Sequence, residues 1–268
     1  MKKIIKNFKR DGYVVVKNFF KKKDILDAKK EIFNCSQKLY KKKIKKKNFN
    51  PKHFDYYLSD SLKSGKKFSS DFYNLSKKFI SMHNLAFNKK LVSMAKKLLN
   101  TKNVGILNRA YGYRIDRPRD KRYLTQLHQD YIQNLGAPEG LVFYNSLRKV
   151  SPIDGPVCVY KGSHKLGLLN TKVKQKSIDK SHSYLLKISE SRLKKFKKIL
   201  IQINETDLVI FDFFLLHKST PNLSKNIRWS MISRFFNFDS KIGIKNFFPG
   251  GIQEFNKFED FHPEKVSK

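Results

Sequence analysis

The residue types best suited to metal chemistry lie in a five-residue segment, Gln-Leu-His-Gln-Asp, that begins at Gln126. If this segment is a strand, alternate side chains share one face, so Gln126, His128 and Asp130 project to the same side. An imidazole and a carboxylate then converge on one point. A third ligand is expected from a distant strand, and His217 ends an apolar run of that kind. Two histidines and a carboxylate are typical of the non-haem iron(II) oxygenases.

A second set of polar residues suits the binding of a dicarboxylate such as 2-oxoglutarate. Arg228 comes eleven residues after His217 and opens an aromatic-rich run. A carboxylate that enters a barrel needs a permanent cation in fork geometry, which arginine supplies. Ser219 could donate a second hydrogen bond to the same group, and Arg114, before the metal motif, is a further candidate for contact with 2-oxoglutarate or an anionic substrate. The alternative interpretation is that the two arginines are solvated surface charges and that Ser219 is only a turn hydroxyl.

Three more residues are candidates for lining or supporting this site. Gln126 shares the predicted face of the ligands. Tyr144 lies in an apolar run that follows the metal motif. Asn222 follows His217 in a polar turn, and we expect it to stabilise that turn rather than to contact substrate. For His164, in a Gly-Ser-His block, we expect a structural role.

The first hundred residues show mainly helical patterning. A short buried strand is predicted at Tyr13–Val16, followed by a helix from Lys23 to about Lys41, where apolar residues recur at helical spacing. The segment Lys42–Gly65 is charged and predicts a loop. Helical spacing returns from Asp71 to Asn100.

From about Val104 the chain changes to short runs bounded by Gly, Pro and Asn. Six runs have strand character: Val104–Ile115, Leu124–Tyr131, Leu141–Leu147, Pro156–Tyr160, Leu208–Leu216 and Arg228–Phe238. This spacing predicts a sandwich or jelly roll. We therefore expect a mainly β fold with flanking α-helices, in which a double-stranded β-helix (jelly-roll) core carries an N-terminal helical layer.

The same patterning predicts a single domain over residues 1–268. The N-terminal strand and helical layer are expected at 1–103, the jelly-roll core at 104–240 and a C-terminal tail at 241–268. The interval Lys172–Lys198 is rich in Lys and Ser, with one plausible helix. It predicts an insertion near 170–200.

Composition gives a net charge of +36, from 58 basic and 22 acidic residues. Such an excess favours anionic partners. However, only ten of the basic residues are Arg, and the Lys lie in scattered runs, whereas specific phosphate and base recognition relies on the fork of Arg. We interpret the charge as compositional bias and expect no specific nucleic-acid partner. The charge still favours a small-molecule substrate that is anionic.

The two cysteines, Cys35 and Cys158, are few for a chain of this length, which fits a reducing compartment. The apolar run Tyr13–Val16 is too short for the core of a signal peptide. No apolar stretch approaches the 18 residues of a membrane span. We expect a cytoplasmic protein.

Several motifs occur together in a recognisable order. They are Asp11-Gly12-Tyr13-Val14-Val15-Val16, His128-Gln129-Asp130, the turn Asp154-Gly155-Pro156 with the block Tyr160–Gly167, and His217-x-Ser219-x-x-Asn222 with Arg228. In these the chain resembles the phytanoyl-CoA dioxygenase family of Fe(II)/2-oxoglutarate-dependent oxygenases. The resemblance implies a double-stranded β-helix, Fe(II) on His128, Asp130 and His217, and the 2-oxoglutarate carboxylate on Arg228 and Ser219.

The resemblance also implies an oxidoreductase, a dioxygenase that hydroxylates an unactivated C–H bond of a small-molecule, acyl or sugar metabolite. Lys161 stands where the family usually has Pro, and Tyr144 where it commonly has Trp. Both departures bear on the substrate more than on the chemistry.

Two other functions remain open from the sequence. A non-catalytic jelly-roll binding protein would keep the fold but would gain nothing from the triad and Arg228. A basic nucleic-acid-binding protein would need basic residues on one face, interleaved with aromatics. Acyl-CoA, an osmolyte, a phosphonate and a sugar intermediate all fit as substrates, and the oligomeric state is open.

Overall fold

A computed structural model describes residues 1–39, 47–61, 66–107, 111–121, 124–173, 184–251 and 254–267. Within these ranges the α-helices are α1 (Lys2–Asp11), α2 (Lys22–Leu39), α3 (Tyr56–Ser61), α4 (Lys66–Ser76), α5 (Ile80–Ala86), α6 (Lys89–Leu99), α7 (Tyr131–Asn134), α8 (Glu190–Lys194), α9 (Lys241–Lys245) and α10 (Phe258–Phe261). The strands are β1 (Tyr13–Val16), β2 (Val104–Ile106), β3 (Gly112–Asp116), β4 (Gly140–Ser146), β5 (Cys158–Tyr160), β6 (Thr171–Val173), β7 (Tyr184–Leu186), β8 (Lys198–Leu200), β9 (Leu208–Asp212), β10 (His217–Lys218), β11 (Arg228–Asn237) and β12 (Val266–Ser267).

The main sheet has six strands, in the order β1-β9-β4-β11-β2, with β3 also paired to β11. All of its pairings are antiparallel. A smaller antiparallel sheet has the order β10-β5-β8. The predicted fold class, mainly β with flanking helices, is confirmed.

The two faces of the main sheet pack against different neighbours. On β4, Leu141 and Phe143 join a core shared with the helices of the N-terminal layer. Val142 and Tyr144 join a second core, to which Val159 of the smaller sheet also contributes. This is the period-two alternation of a strand that is covered on both sides. The interior between the two sheets is therefore the space in which a site can be built.

The helical layer is more divided than the sequence patterning indicates. The helical spacing from Asp71 to Asn100 belongs to three helices, α4 to α6, because the chain turns between them. Phe79 is extended before α5, and Asn88 caps α6 by accepting a hydrogen bond from the Leu91 backbone N–H. Helix α1 was not predicted, and α3 lies in the segment expected to be a loop. Residues 42–46 and 62–65 of that loop lie outside the described ranges, as do residues 40 and 41 at the predicted end of the preceding helix.

Three predicted strands also differ. The run Val104–Ile115 forms two strands, β2 and β3. The run Leu124–Tyr131 is not a strand: only an isolated bridge at His128 remains, and Asp130 has helical dihedral angles at the start of α7. Leu208–Leu216 is shorter than predicted, since β9 ends at Asp212.

The predicted insertion and the predicted tail are joined in the structure. Strand β8 belongs to the smaller jelly-roll sheet. Strands β6 and β7 form a third sheet with β12, so the C-terminal residues pair with the insertion. Residues 174–183 of the insertion lie outside the described ranges. Among the described helices none has the length and hydropathy to cross a bilayer, and Cys35 and Cys158 are both free thiols.

Candidate metal centre

The backbones of His128 and His217 pair directly. Each residue donates its N–H to the carbonyl oxygen of the other, at 3.0 Å from His128 and 3.2 Å from His217. His217 also begins β10, where it lies opposite Val159 of β5. The two imidazole rings consequently lie close together, with centroids 4.1 Å apart and planes tilted by 50°. The smaller sheet thus brings together the two histidines that the sequence selected.

Each imidazole is oriented by a backbone carbonyl two residues earlier. The Nδ1 of His128 lies 2.8 Å from the Gln126 oxygen, and the Nδ1 of His217 lies 2.9 Å from the Leu215 oxygen. A carbonyl oxygen only accepts, so Nδ1 carries the proton in both rings. Nε2 is then the nitrogen of each ring that is placed to bind a metal.

Asp130 supplies the carboxylate and is almost fully buried, at 1% exposure. It lies at the first turn of the short helix α7. Burial acts to raise the pKa of this carboxyl. The nearby charge of Arg234 is the largest of the effects that outweigh burial and hold the pKa well below its usual range. The group is therefore ionised and ready to bind a cation.

The three side chains fit a metal ion. Their ligand atoms all lie within 4.8 Å of one another. Oδ2 of Asp130 is buried, has no hydrogen-bond partner in the described parts of the chain, and lies 3.1 Å from Nε2 of His217. Two lone pairs that face each other at this distance repel unless a proton or a metal ion lies between them. Two imidazoles and one carboxylate are the donor set of non-haem iron(II) sites.

Arg228 is buried on β11, with 4% of its surface exposed. Its Nη2 donates to Oδ2 of Asp116 at 2.7 Å, and its Nη1 donates to the Gly155 oxygen. Burial acts to lower the pKa of the guanidinium, but Asp116 and Tyr144 outweigh it, and the net pKa is raised. Nε is buried without a partner among the described residues. Arg228 is therefore a permanently charged group whose Nε–H is available to a ligand.

Arg114 lies on the same face of the sheet as Arg228. Strand β3 pairs with β11 so that Asp116 is opposite Arg228 and Arg114 is opposite Ser230. Nε of Arg114 donates to both oxygens of Asp116, at 2.8 and 3.1 Å. Burial acts to raise the pKa of Asp116, and the two arginines lower it below its usual value. One carboxylate is thus shared between two guanidinium groups.

The other sequence candidates take varied positions. Tyr144 is buried on β4, with its hydroxyl 3.2 Å from that of Ser230. The Ser219 hydroxyl lies 2.5 Å from that of Thr125. Asn222 is buried, and its amide donates to the Asp116 and Asn226 carbonyls. The Gln126 side chain is exposed, and only its carbonyl serves the site. Tyr144 thus lies close enough to Arg228 to act on its pKa, and Asn222 has a turn-stabilising position.

His164 lies away from the three ligands. Its ring packs against Gly12, and its Nε2 lies 3.1 Å from the Lys9 oxygen. It joins the N-terminal helix to the jelly roll, in line with the structural role expected from the sequence.

Sequence reasoning missed two side chains that support the ligands. Gln129 is fully buried; it donates to the Gly167 and Phe214 carbonyls and accepts from the Leu169 N–H. Arg234 donates Nε to Oδ1 of Asp130 at 2.8 Å. A signal for Arg234 was present, because it lies at an even spacing from Arg228 and so faces the same side of a strand.

Comparisons with known proteins agree with this geometry. The model of a family described as phytanoyl-CoA dioxygenase (PhyH) matches residues 8–230. No curated protein matches the chain. Solved structures do match the chain, and three of them are the following. The epimerase SnoN, in complex with Fe3+, alpha ketoglutarate and nogalamycin RO, aligns at 14% identity and a TM-score of 0.59, over 88% of this chain and 83% of that one.

The other two structures are as similar. EctD from S. alaskensis with bound Fe aligns at 16% identity and a TM-score of 0.60, over 88% of this chain and 76% of that one. The non-heme alpha ketoglutarate dependent carbocyclase SnoK, from nogalamycin biosynthesis, aligns at 13% identity and a TM-score of 0.57, over 94% of this chain and 92% of that one. At these identities the likeness shows a shared fold.

Proposed function

The chain belongs to the phytanoyl-CoA dioxygenase family, and from this membership we propose that His128, Asp130 and His217 hold iron(II) while Arg228 binds the distal carboxylate of 2-oxoglutarate. Each of the three similar proteins binds iron or depends on alpha ketoglutarate. One observation carries the assignment of residues. Oδ2 of Asp130 lies 3.1 Å from Nε2 of His217 and has no hydrogen-bond partner among the described residues.

When bound, iron(II) supplies the activation of O₂ that is coupled to oxidative decarboxylation of 2-oxoglutarate to succinate and CO₂. The protein contributes binding, orientation and exclusion of water. The two imidazoles are locked by the carbonyls of Gln126 and Leu215. The Phe211 ring, with its centroid 4.8 Å from that of His217, provides an apolar wall beside the ligands.

Arg228 is suited to the distal carboxylate because its charge is permanent and it lies in a buried setting. Arg114 and Arg228 share Asp116, so this trio has one positive charge in excess. A single carboxylate neutralises that excess. Arg114 is thereby a second contact for 2-oxoglutarate in this proposal. Ser219 and Tyr144 are the hydroxyl candidates of the same pocket.

We propose that the reaction is hydroxylation of a C–H bond in an anionic small metabolite. Three arginines, Arg114, Arg228 and Arg234, face the interior, against two carboxylates, Asp116 and Asp130, among the described residues. With iron(II) and the 2-oxoglutarate dianion bound, the charges of these five side chains, the metal and the co-substrate sum to one positive charge. The +36 net charge of the chain adds a field that attracts anions.

The test is succinate formation with Fe(II), 2-oxoglutarate and O₂, screened over pairs of compounds that differ only in an anionic group. Each carboxylate or phosphate would be paired with its neutral ester or amide. We expect one or more anionic members to stimulate succinate release well above the substrate-free rate, with a product 16 mass units heavier by general oxygen-insertion chemistry. Stimulation by the neutral members alone would contradict the anionic substrate, and a product without added oxygen would contradict hydroxylation.

A further inference from the structure

The two oxygens of Asp130 have different surroundings. Oδ1 accepts a hydrogen bond from Nε of Arg234 at 2.8 Å and another from Nδ2 of Asn134 at 3.0 Å. Oδ2 accepts none from the described residues and is buried. The carboxylate is therefore asymmetric: one oxygen is saturated by donors, and the other faces the imidazole of His217.

The backbone around Asp130 does little to fix this orientation. Asp130 precedes the four-residue helix α7, and its side chain makes no capping hydrogen bond there. Asp130 lies in no strand or bridge, unlike the two histidines, whose backbones pair with each other. A carboxylate in such a segment rotates freely about its terminal torsion unless tertiary contacts hold it.

Arg234, by contrast, lies on β11, which pairs with three other strands of the main sheet. It lies opposite Val142 on β4, and its carbonyl accepts from the Leu107 N–H. Like Arg228, it lies at an even position of β11 and faces the interior. Its side chain is 18% exposed and that of Asp130 is 2% exposed. The donor is thus anchored on a rigid element, as support for a metal ligand requires.

We propose that Arg234 is a positioning residue for the metal: by occupying Oδ1, it limits Asp130 to binding through Oδ2 alone. Single-oxygen binding leaves the remaining coordination positions for a 2-oxo acid and O₂. Asn134, which also donates to the Asp130 carbonyl, assists from the next helical turn. The inference rests on the proposed metal site.

The experiment compares Arg234→Gln with a matched control, Arg148→Gln. Arg148 also forms an ion pair with a buried aspartate, Asp55, and its side chain has the same 18% exposure. Co(II) binding would be measured by calorimetry, and its visible absorption would report the coordination. We expect Arg234→Gln to weaken Co(II) binding by about 10- to 100-fold, the usual effect of removing such a support, and to change the absorption spectrum. Arg148→Gln should keep the wild-type affinity and spectrum.

A second variant covers the case in which Arg234→Gln fails to fold. Arg234→Lys keeps the charge and one donor, and we expect intermediate Co(II) affinity. Wild-type affinity and spectrum in the folded Arg234 variants, with binding lost in Asp130→Ala, would overturn the positioning role and leave the proposed function intact. Failure of the wild type to bind either Co(II) or Fe(II) would overturn the metal site itself.

Discussion

His128 and His217 donate their backbone N–H groups to each other's carbonyl oxygens, although the two residues belong to distant parts of the sequence. This pairing does more than bring two ligands together. Because each ring is also held through Nδ1 by a carbonyl of its own chain segment, the free Nε2 atoms are oriented before any metal arrives. Several consequences of the site and its surroundings can be measured.

Arg228→Ala should weaken 2-oxoglutarate binding while Fe(II) binding changes little. Loss of a charge-assisted, buried contact costs on the order of 1.5–3 kcal/mol, or roughly 10- to 150-fold in affinity. Equilibrium titration of 2-oxoglutarate into the iron-loaded protein under anaerobic conditions would measure it. An unchanged dissociation constant would remove Arg228 from the co-substrate pocket.

Asp116→Ala should destabilise the fold, because it leaves the buried guanidinium of Arg228 without its counter-ion. Breaking a buried ion pair by removing one partner costs about 3–5 kcal/mol. Urea unfolding would measure the loss. Glu190→Ala is the control: its side chain is 91% exposed, and a surface change of this kind is expected to stay within about 0.5 kcal/mol. Equal effects of the two substitutions would show that Asp116 does not neutralise Arg228.

Asp212 should make stability depend on pH. Burial raises the pKa of this carboxyl to about 6, although a hydrogen bond from the Phe214 N–H acts to lower it. The unfolded chain ionises near the ordinary value of about 4, so the wild type loses stability as pH rises from there through about 6.

Asp212→Asn keeps the acceptor for Phe214 and removes this ionisation. Its melting temperature should match that of the wild type near pH 4 and exceed it above pH 6. A difference between the two proteins that stays constant across this range would rule out ionisation of Asp212 as its origin.

Nucleic-acid binding should be weak and independent of sequence. Only ten of the 58 basic residues are Arg, and three of those ten face the interior of the jelly roll. Contacts made by surface Lys go to phosphates and release counter-ions, which gives dissociation constants of about 10⁻⁴–10⁻⁶ M at physiological salt. Titration of labelled DNA and RNA of several sequences would check this. Tight binding that distinguishes sequences would restore the nucleic-acid function.

Much of this architecture was readable from the sequence. Short apolar runs bounded by Gly, Pro and Asn identified the strands β4 and β9, and the residue types of His128, Asp130 and His217 selected the cluster that the fold assembles. The reason given for their convergence was wrong in one respect. Asp130 does not share a strand face with His128, since the chain enters α7 at that point.

The missed features depend on tertiary contacts that local patterning does not encode. The sequence did not single out Asp116, and only the register of β3 against β11 places it opposite Arg228. The division of the helical layer at Phe79 and Asn88 likewise follows from packing and capping, which compete with a continuous apolar stripe.

The central claim is that the three ligands hold iron(II) in a form that a 2-oxo acid can chelate. Visible absorption during anaerobic addition of 2-oxoglutarate to the protein with Fe(II) tests it directly, since such chelation produces a metal-to-ligand charge-transfer band and needs no knowledge of the substrate. We expect the band in the wild type and in the control His53→Ala, whose histidine is exposed, and its loss in Asp130→Ala and His217→Ala. A band of wild-type strength in both ligand variants, or no band in the wild type, would contradict the account.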